Sequence, residues 1–425
     1  MTTAMTEAQA RPTPEPEQIA AFLAAAGRLL LLYNESTRDI DRSLRSVAGA
    51  LGSADCLVSI TYRYVSVAWG SARATSAPVA ELHYNMAILG QVHELLRQVK
   101  RGTLSIAAAQ GQLEHVEAHH PGHTDAVGVV TLGLAAGALA ALLGADVGAV
   151  AIASLAAGIG LAARRRLGRW HFSLLTLPLA AAFIGALLGG IAIRMGWTTT
   201  PKLALVVPAL MLVPGPHLIN GLLDLIDNYL PMALARLSLA AAILAASALG
   251  LVLGIELTLI DPIPPDVLRT ERINLPLDMT LAAMAACGFA VFYNTGWRQL
   301  WIAAVLGMVG HGLRFLALAA GCRLEAATFL GALVIGSGAA WLGRRFGAPV
   351  AVLAFAGAVT MMPGLAMYSA LGGAMKLSQQ GCLADVQTAA IALADGVHAG
   401  LVVTGLVLGL VIGVRLVEAV DPMRD

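Results

Sequence analysis

The sequence predicts a mainly α-helical, polytopic membrane protein: about ten transmembrane helices arranged as two five-helix inverted repeats, preceded by a small α+β cytosolic domain. Three observations predict it. The 425 residues are 58% hydrophobic and 12% charged, with a mean hydropathy of +0.76, whereas soluble domains carry about 25% charge. The charge is uneven, because 21 of the 53 Asp, Glu, Lys and Arg residues fall in residues 1–124. The apolar remainder divides into bilayer-length stretches, and a Pro-Gly pair recurs in its two halves.

Residues 1–17 are polar, with Pro12, Pro14 and Pro16, and are expected as a disordered tail. They lack a basic segment followed by an apolar one, so a secretory signal is not expected and the head stays in the cytosol. In the head, residues 18–124, Ile19, Phe22, Leu23, Ala26, Leu29, Leu30 and Tyr33 recur at helical spacing. Ser36 with Asp39 resembles an N-terminal cap, and Ile40, Leu44, Val47 and Leu51 continue as a second helix ended by Gly52. Val58, Ile60 and Tyr62, then Val65, Val67 and Trp69, alternate as strands do. Met86, Leu89, Val92, Leu95, Leu96 and Val99 return to helical period.

His115 and His119, four apart, are a candidate zinc pair on one helix face. Their order is H-x-E-x-H rather than H-E-x-x-H, and a solvated linker entering the membrane accounts for the same residues. No cofactor is expected. Cys56, Cys287, Cys322 and Cys382 form no C-x-x-C pair and read as small buried hydrophobes.

Spanning takes about 20 mainly apolar residues. Such stretches fall at 126–145, 147–163, 172–193, 203–222 and 237–260, and again at 278–295, 299–319, 326–343, 349–371 and 387–414. The membrane repeats are therefore 125–262 and 277–417, joined by a proline-bearing linker, 263–276. With the head inside, ten loop Lys and Arg face the cytoplasm, among them Arg164, Arg165, Arg166, Arg169 and Arg236, against six outside. Both termini are then cytoplasmic.

Val213-Pro214-Gly215 in the fourth stretch is matched by Met362-Pro363-Gly364 in the ninth. Pro removes a backbone donor and crowds the preceding turn, so each pair is expected to break its helix. An odd number of helices per half inverts the second copy, an arrangement of secondary transporters with interrupted helices at the substrate site.

These residues carry a family resemblance. Pro214-Gly215, Asn220, Asp224 and Arg236 read P-G-x4-N-x3-D-x11-R, which resembles the signature of the threonine/serine exporter family of bacterial inner-membrane proteins. Pro363 to Leu371, PGLAMYSAL, is similar to the P-G-L-x-x-Y motif of that family's C-terminal domain. Glu35 to Gly52 resembles the segment before its first strand, and Gly144 with Asp146 its glycine-rich turn ending in an acid. Asn228 and Ala233 stand where glycines are expected, and His217 where an apolar residue is. The resemblance implies export of threonine and serine driven by protons across the bacterial cytoplasmic membrane.

A zwitterion needs an acceptor for its ammonium and donors for its carboxylate. Asp224 and Asn220 are candidates for these tasks, beside the donors of a broken helix. Asp224 and Asp227 equally suit the wet end of an amphipathic segment, and Arg236 suits a partner for either acid or an interfacial anchor. Tyr368 suits the pathway or a lipid interface. Asp146, His311, Arg314, Asp395 and His398 are proton-coupling candidates, since ionisable groups in lipid face partners or water. Asp395 with His398, three apart, reads as a relay or as a structural pair.

The expected partners are a small amino acid, protons and the lipid bilayer, with a homo-oligomer left open. A net charge of +1 without a basic stripe gives no nucleic-acid site. No G-x-S-x-G, P-loop or kinase signature is present, so the chain is not expected to be an enzyme. The alternatives are a solute channel, or a membrane-anchored sensor or enzyme acting through its head.

Overall fold

A computed structural model describes residues 15–52, 55–69, 74–119, 122–260, 273–346, 350–381 and 385–420. These divide into two compact units. Residues 1–14, Cys382 and most of the 263–276 linker lie outside the described residues. Pro16 and Glu17, expected in the tail, instead open the first helix.

The first unit contains α1 (Pro16–Leu32), α2 (Thr37–Ala50), β1 (Leu57–Thr61), β2 (Tyr64–Ala68), β3 (Thr75–Pro78), most of α3 (Met86–Lys100) and α4 (Ile106–His119). Ser36 caps α2, its Oγ accepting from Asp39 N at 3.2 Å. The strands pair antiparallel in the order β1-β2-β3, and Val65 and Val67 turn inward from the central strand. Phe22, Leu23, Leu29 and Leu30 of α1 form the core with Ile40, Leu44 and Val116. Gly27 permits that packing, because a Cβ there would lie 2.8 Å from Leu44 Cδ1 and 2.9 Å from Val65 Cγ1. The segment read as a solvated linker is helical through His119: α4 buries Ile106, Ala109, Leu113 and Val116, and Arg28 of α1 pairs with its Glu117. Four apolar residues at helical spacing hold it despite its polar outer face.

The second unit carries α5 (Asp125–Leu142), α6 (Val147–Arg169), α7 (Thr176–Arg194), α8 (Pro201–Leu210), α9 (Gly215–Ile226) and α10 (Leu230–Leu257). After the linker come α11 (Leu275–Phe292), α12 (Leu300–Ala319), α13 (Leu324–Phe346), α14 (Val350–Ala358), α15 (Gly364–Gln380) and α16 (Val386–Val420). Among the described residues eight helices are long and apolar enough to cross a membrane, and up to ten spans result when each bent pair counts once. The pairs are α8 with α9, bent by 60°, and α14 with α15, bent by 57° across a 3₁₀ turn at Val359–Met361. α10 starts at Leu230 rather than near 237, because Arg236 lies inside the helix and is buried.

Polarity is inverted relative to a soluble core. Alanine and glycine fill the interior of α5, α6 and α7, while Leu134, Leu155, Leu234, Leu393 and Trp301 are exposed. Small residues let helices approach where lipid offers no hydrophobic incentive to associate. Similar contacts recur in the two halves. A Cβ on Gly160 of α6 would lie 3.4 Å from Ala181 Cβ of α7; a Cβ on Gly310 of α12, 150 positions later, would lie 3.1 Å from Gly331 O of α13.

Candidate functional site

The two breaks form the same way. Gly215 N donates to Val213 O at 2.8 Å and Gly364 N to Met362 O at 2.9 Å. Each bond closes a tight turn around a proline, at φ −78°, ψ 61° for Pro214 and φ −81°, ψ 49° for Pro363. These are inverse γ-turn angles. The breaks also abut. A Cβ on Gly215 would lie 3.3 Å from Met362 Cε and 3.6 Å from Phe355, and one on Gly364 would lie 3.0 Å from Leu210 and 3.3 Å from Val213. Tyr368, on α15, is buried and donates from its hydroxyl to Ala209 O at 2.9 Å, in the last turn of α8. It faces the other break rather than lipid.

Asp224 and Arg236 are 0% exposed, with Arg236 Nη1 3.2 Å from Asp224 Oδ2. Arg236 is thus an interior partner, not an interfacial anchor. Asn220, one turn before Asp224, is also buried. Asp227 caps the end of α9, partly exposed, 4.0 Å from Arg415 Nη2. Asn228 takes φ +65°, the left-handed region that glycine favours and asparagine tolerates, which accounts for its standing at a glycine position.

A second polar cluster joins α11 and α12. His311 Nδ1 lies 2.6 Å from Asp278 Oδ2, and Arg314 Nη1 lies 3.3 Å from His311 Nε2. Arg314 Nε is enclosed without a hydrogen-bond partner, as are the hydroxyls of buried Thr328 and Thr360. A Cβ on Gly331, one turn beyond Thr328, would lie 3.4 Å from Arg314 Cβ and 3.0 Å from Met361 Sδ. Arg314, α13 and the second break therefore converge. His398 Nδ1 lies 2.9 Å from Glu325 Oε1 on α13, and this is its ionic partner, not Asp395, which is half-buried on α16.

Sequence reasoning missed Asp278, Glu325 and Arg164. The Arg164 guanidinium stands 5.8 Å from the Phe292 ring centroid, within electrostatic reach of Tyr84, Tyr293 and Tyr368. The signal for Arg164 was its spacing, four residues after Gly160 and seven after Ala157 on the buried face of α6. Tyr84 also meets His217 at 5.6 Å and Tyr293 at 5.5 Å, and Tyr293 meets Phe355 at 5.7 Å between ring centroids. The first break thus opens beside an aromatic wall.

Asp146 is the N-cap of α6. Its carboxylate accepts from Ala149 N at 2.9 Å, Thr199 N at 3.0 Å, Thr198 Oγ1 at 2.7 Å and Thr200 Oγ1 at 2.9 Å. Burial pushes its pKa upward, but these bonds outweigh it and hold the carboxyl down from 3.8 to about 2. A depressed acid stabilises the fold above its unfolded pKa and loses that contribution as pH falls through the folded one. Asp146→Ala is expected to cost about 1–2 kcal/mol at neutral pH. The gap from the unmodified protein should close as pH falls from near 4 to about 2, as thermal unfolding in detergent would measure.

His115 and His119 are exposed on α4, their rings 3.8 Å apart, and His119 Nδ1 donates to His115 O at 3.0 Å. Among the described residues no group of three His, Cys, Asp or Glu side chains is arranged to hold a metal ion. Of the cysteines, Cys56 is buried, Cys287 half-buried and Cys322 exposed, so only the first fully fits the expectation.

Residues 21–258 match a family model described as a threonine/serine exporter, and residues 278–420 match a second, the threonine/serine exporter ThrE. No solved structure matches the chain.

Proposed function

The chain belongs to the threonine/serine exporter family, and from that premise we propose that it is a proton-coupled secondary exporter of threonine- and serine-like amino acids whose substrate path runs between the two Pro-Gly breaks. The observation that carries the path is the abutment of those breaks, each glycine facing side chains of the other bent pair. Broken helices leave backbone donors and acceptors unsatisfied inside the membrane, a polarity tolerated where it lines a cavity. Asn220 and Asp224 lie on the segment that follows the first break, Asp224 paired with buried Arg236 of α10, and Tyr368 lies on the segment that follows the second.

Two five-helix inverted repeats underlie this path. The recurrence of the α6–α7 contact in α12–α13 supports them, as does that of two bent pairs with nearly equal angles. The excess of loop arginines supports a cytoplasmic head and termini in a bacterial inner membrane. Asp146, tied at a helix start, acts as a staple and not as a proton carrier.

Proton coupling runs through His311. With Nδ1–H donated to Asp278, Nε2 accepts from Arg314. A proton arriving on Nε2 turns that acceptor into a donor and sets two cations face to face, so Arg314 must withdraw. Proteoliposomes loaded with labelled threonine or serine should release either faster when a pH gradient is imposed. His311→Gln should retain substrate exchange while losing the response to the gradient. Release by the unmodified protein that ignores the gradient would sink the coupling, and no release at all would sink the exporter.

A further inference from the structure

We propose that Arg164 and Arg314 are one carboxylate-binding group present twice, Arg164 receiving the substrate's carboxylate from the cytoplasmic face and Arg314 from the outer face. The inference rests on the export reading and assigns that path its two anion-binding residues.

The positions correspond. Arg164 follows Gly160, and Arg314 follows Gly310, by one helical turn, and those glycines make the matching close approaches of α6 to α7 and of α12 to α13. In opposite-running copies, equivalent residues approach opposite faces of the membrane.

Neither guanidinium makes an ion pair with a carboxylate among the described residues, unlike several other arginines of the membrane unit. Arg165 and Arg169 pair with Asp125, Arg236 with Asp224, and Arg415 with Glu418. Arg164 stands over the Phe292 ring and lies within electrostatic reach of Tyr84, Tyr293, Tyr368 and the neighbouring cation Arg165. Arg314 donates to His311, whose other ring nitrogen meets Asp278, and its Nε is enclosed and unpartnered among the described residues. Both arginines are half-buried, and a guanidinium partly withdrawn from water without an ion-paired anion favours a ligand that supplies one.

The surroundings fit a carboxylate. The guanidinium fork matches two carboxylate oxygens. Tyr84 and Tyr293 lie within electrostatic reach of Arg164. The hydroxyls of Thr328, one turn before Gly331 on α13, and of Thr360, next to Met361 at the second break, are buried without partners. The space at Gly331 joins Arg314 to Met361 at the second break, and Tyr368 of α15 is within electrostatic reach of Arg164. An α-carboxylate, common to threonine and serine, is the shared feature such a pair would hold.

The test uses the full chain in right-side-out and inside-out membrane vesicles, measuring the threonine concentration for half-maximal uptake from each face. Threoninamide, which lacks the carboxylate, serves as competitor. The ratio of cytoplasmic to outer half-saturating concentrations should rise about tenfold or more for Arg164→Gln and fall by a similar factor for Arg314→Gln. Arg164→Lys and Arg314→Lys should lie between, which a mere loss of folded protein would not produce. Threoninamide should compete poorly at both faces. Ratios unchanged in both variants, or threoninamide competing as well as threonine, would overturn the inference alone. Absence of threonine and serine transport by the unmodified protein would overturn the export reading and this inference with it.

Discussion

Arg236→Met is expected to lower the free energy of unfolding by about 3–5 kcal/mol, the cost of leaving one member of a buried ion pair uncompensated. Arg236 and Asp224 are both 0% exposed at 3.2 Å, so neither charge can recover hydration when its partner is removed. Asp224→Leu should cost a similar amount, with the guanidinium now stranded. The double variant Asp224→Leu with Arg236→Met should recover most of the loss, since well-packed apolar replacements of a buried pair are often neutral or better. Tryptophan fluorescence during thermal unfolding in detergent, run on all four proteins, measures the cycle. Single variants as stable as the unmodified protein would mean that the pair is hydrated. The double variant also separates stability from function. If it folds and no longer exports threonine, the charges act in transport and not only in packing.

The parts of this molecule legible in the sequence were those set by local chemistry. Apolar length located the spans, and Pro214 and Pro363 located the breaks, because a missing N–H acts on its own helix wherever that helix lies. The Ser36 cap was legible for the same reason. Pairings set by tertiary packing were not. Asp278 sits in the first turn of α11, where an acid reads as a favourable helix start, and only the approach of α12 brings His311 within 2.6 Å. Glu325 is hidden likewise at the start of α13. Arg236 resembled a loop arginine because it interrupted an apolar run. A charge neutralised by Asp224 can continue a buried helix, and hydropathy carries no record of the neutralisation. Arg164 stood first in a run of three arginines, of which Arg165 pairs with Asp125 and Arg166 is exposed, and the run masked its different surroundings.

Gly254→Val in α10 and Gly413→Val in α16 are expected to be damaging to a similar degree, each by at least about 3 kcal/mol, the upper end of overpacking costs. Gly250 and Gly254 form one G-x-x-x-G ridge, Gly409 and Gly413 another. A Cβ would lie 2.1 Å from Leu179 O at Gly250 and 2.7 Å from Phe183 O at Gly254. The corresponding distances are 2.4 Å from Phe329 O at Gly409 and 2.3 Å from Leu333 O at Gly413. The obstacles are main-chain carbonyls of α7 and α13, which cannot rotate aside as a side chain can, so the helices themselves must separate. Close approach of this kind is the means by which membrane helices associate, and alanine should therefore also be destabilising at these four sites. Gly400 of α16 is the control: a Cβ there meets nothing within 4 Å. Gly400→Ala should be neutral or stabilising by about 0.5–1 kcal/mol through helix propensity alone. Folded yield by size exclusion and unfolding temperature would rank the set. If Gly254→Ala and Gly413→Ala behave like Gly400→Ala, the helices are not in that contact. If one of the two is tolerated and the other is not, the halves do not share a packing design, and the inverted-repeat path proposed above loses its support.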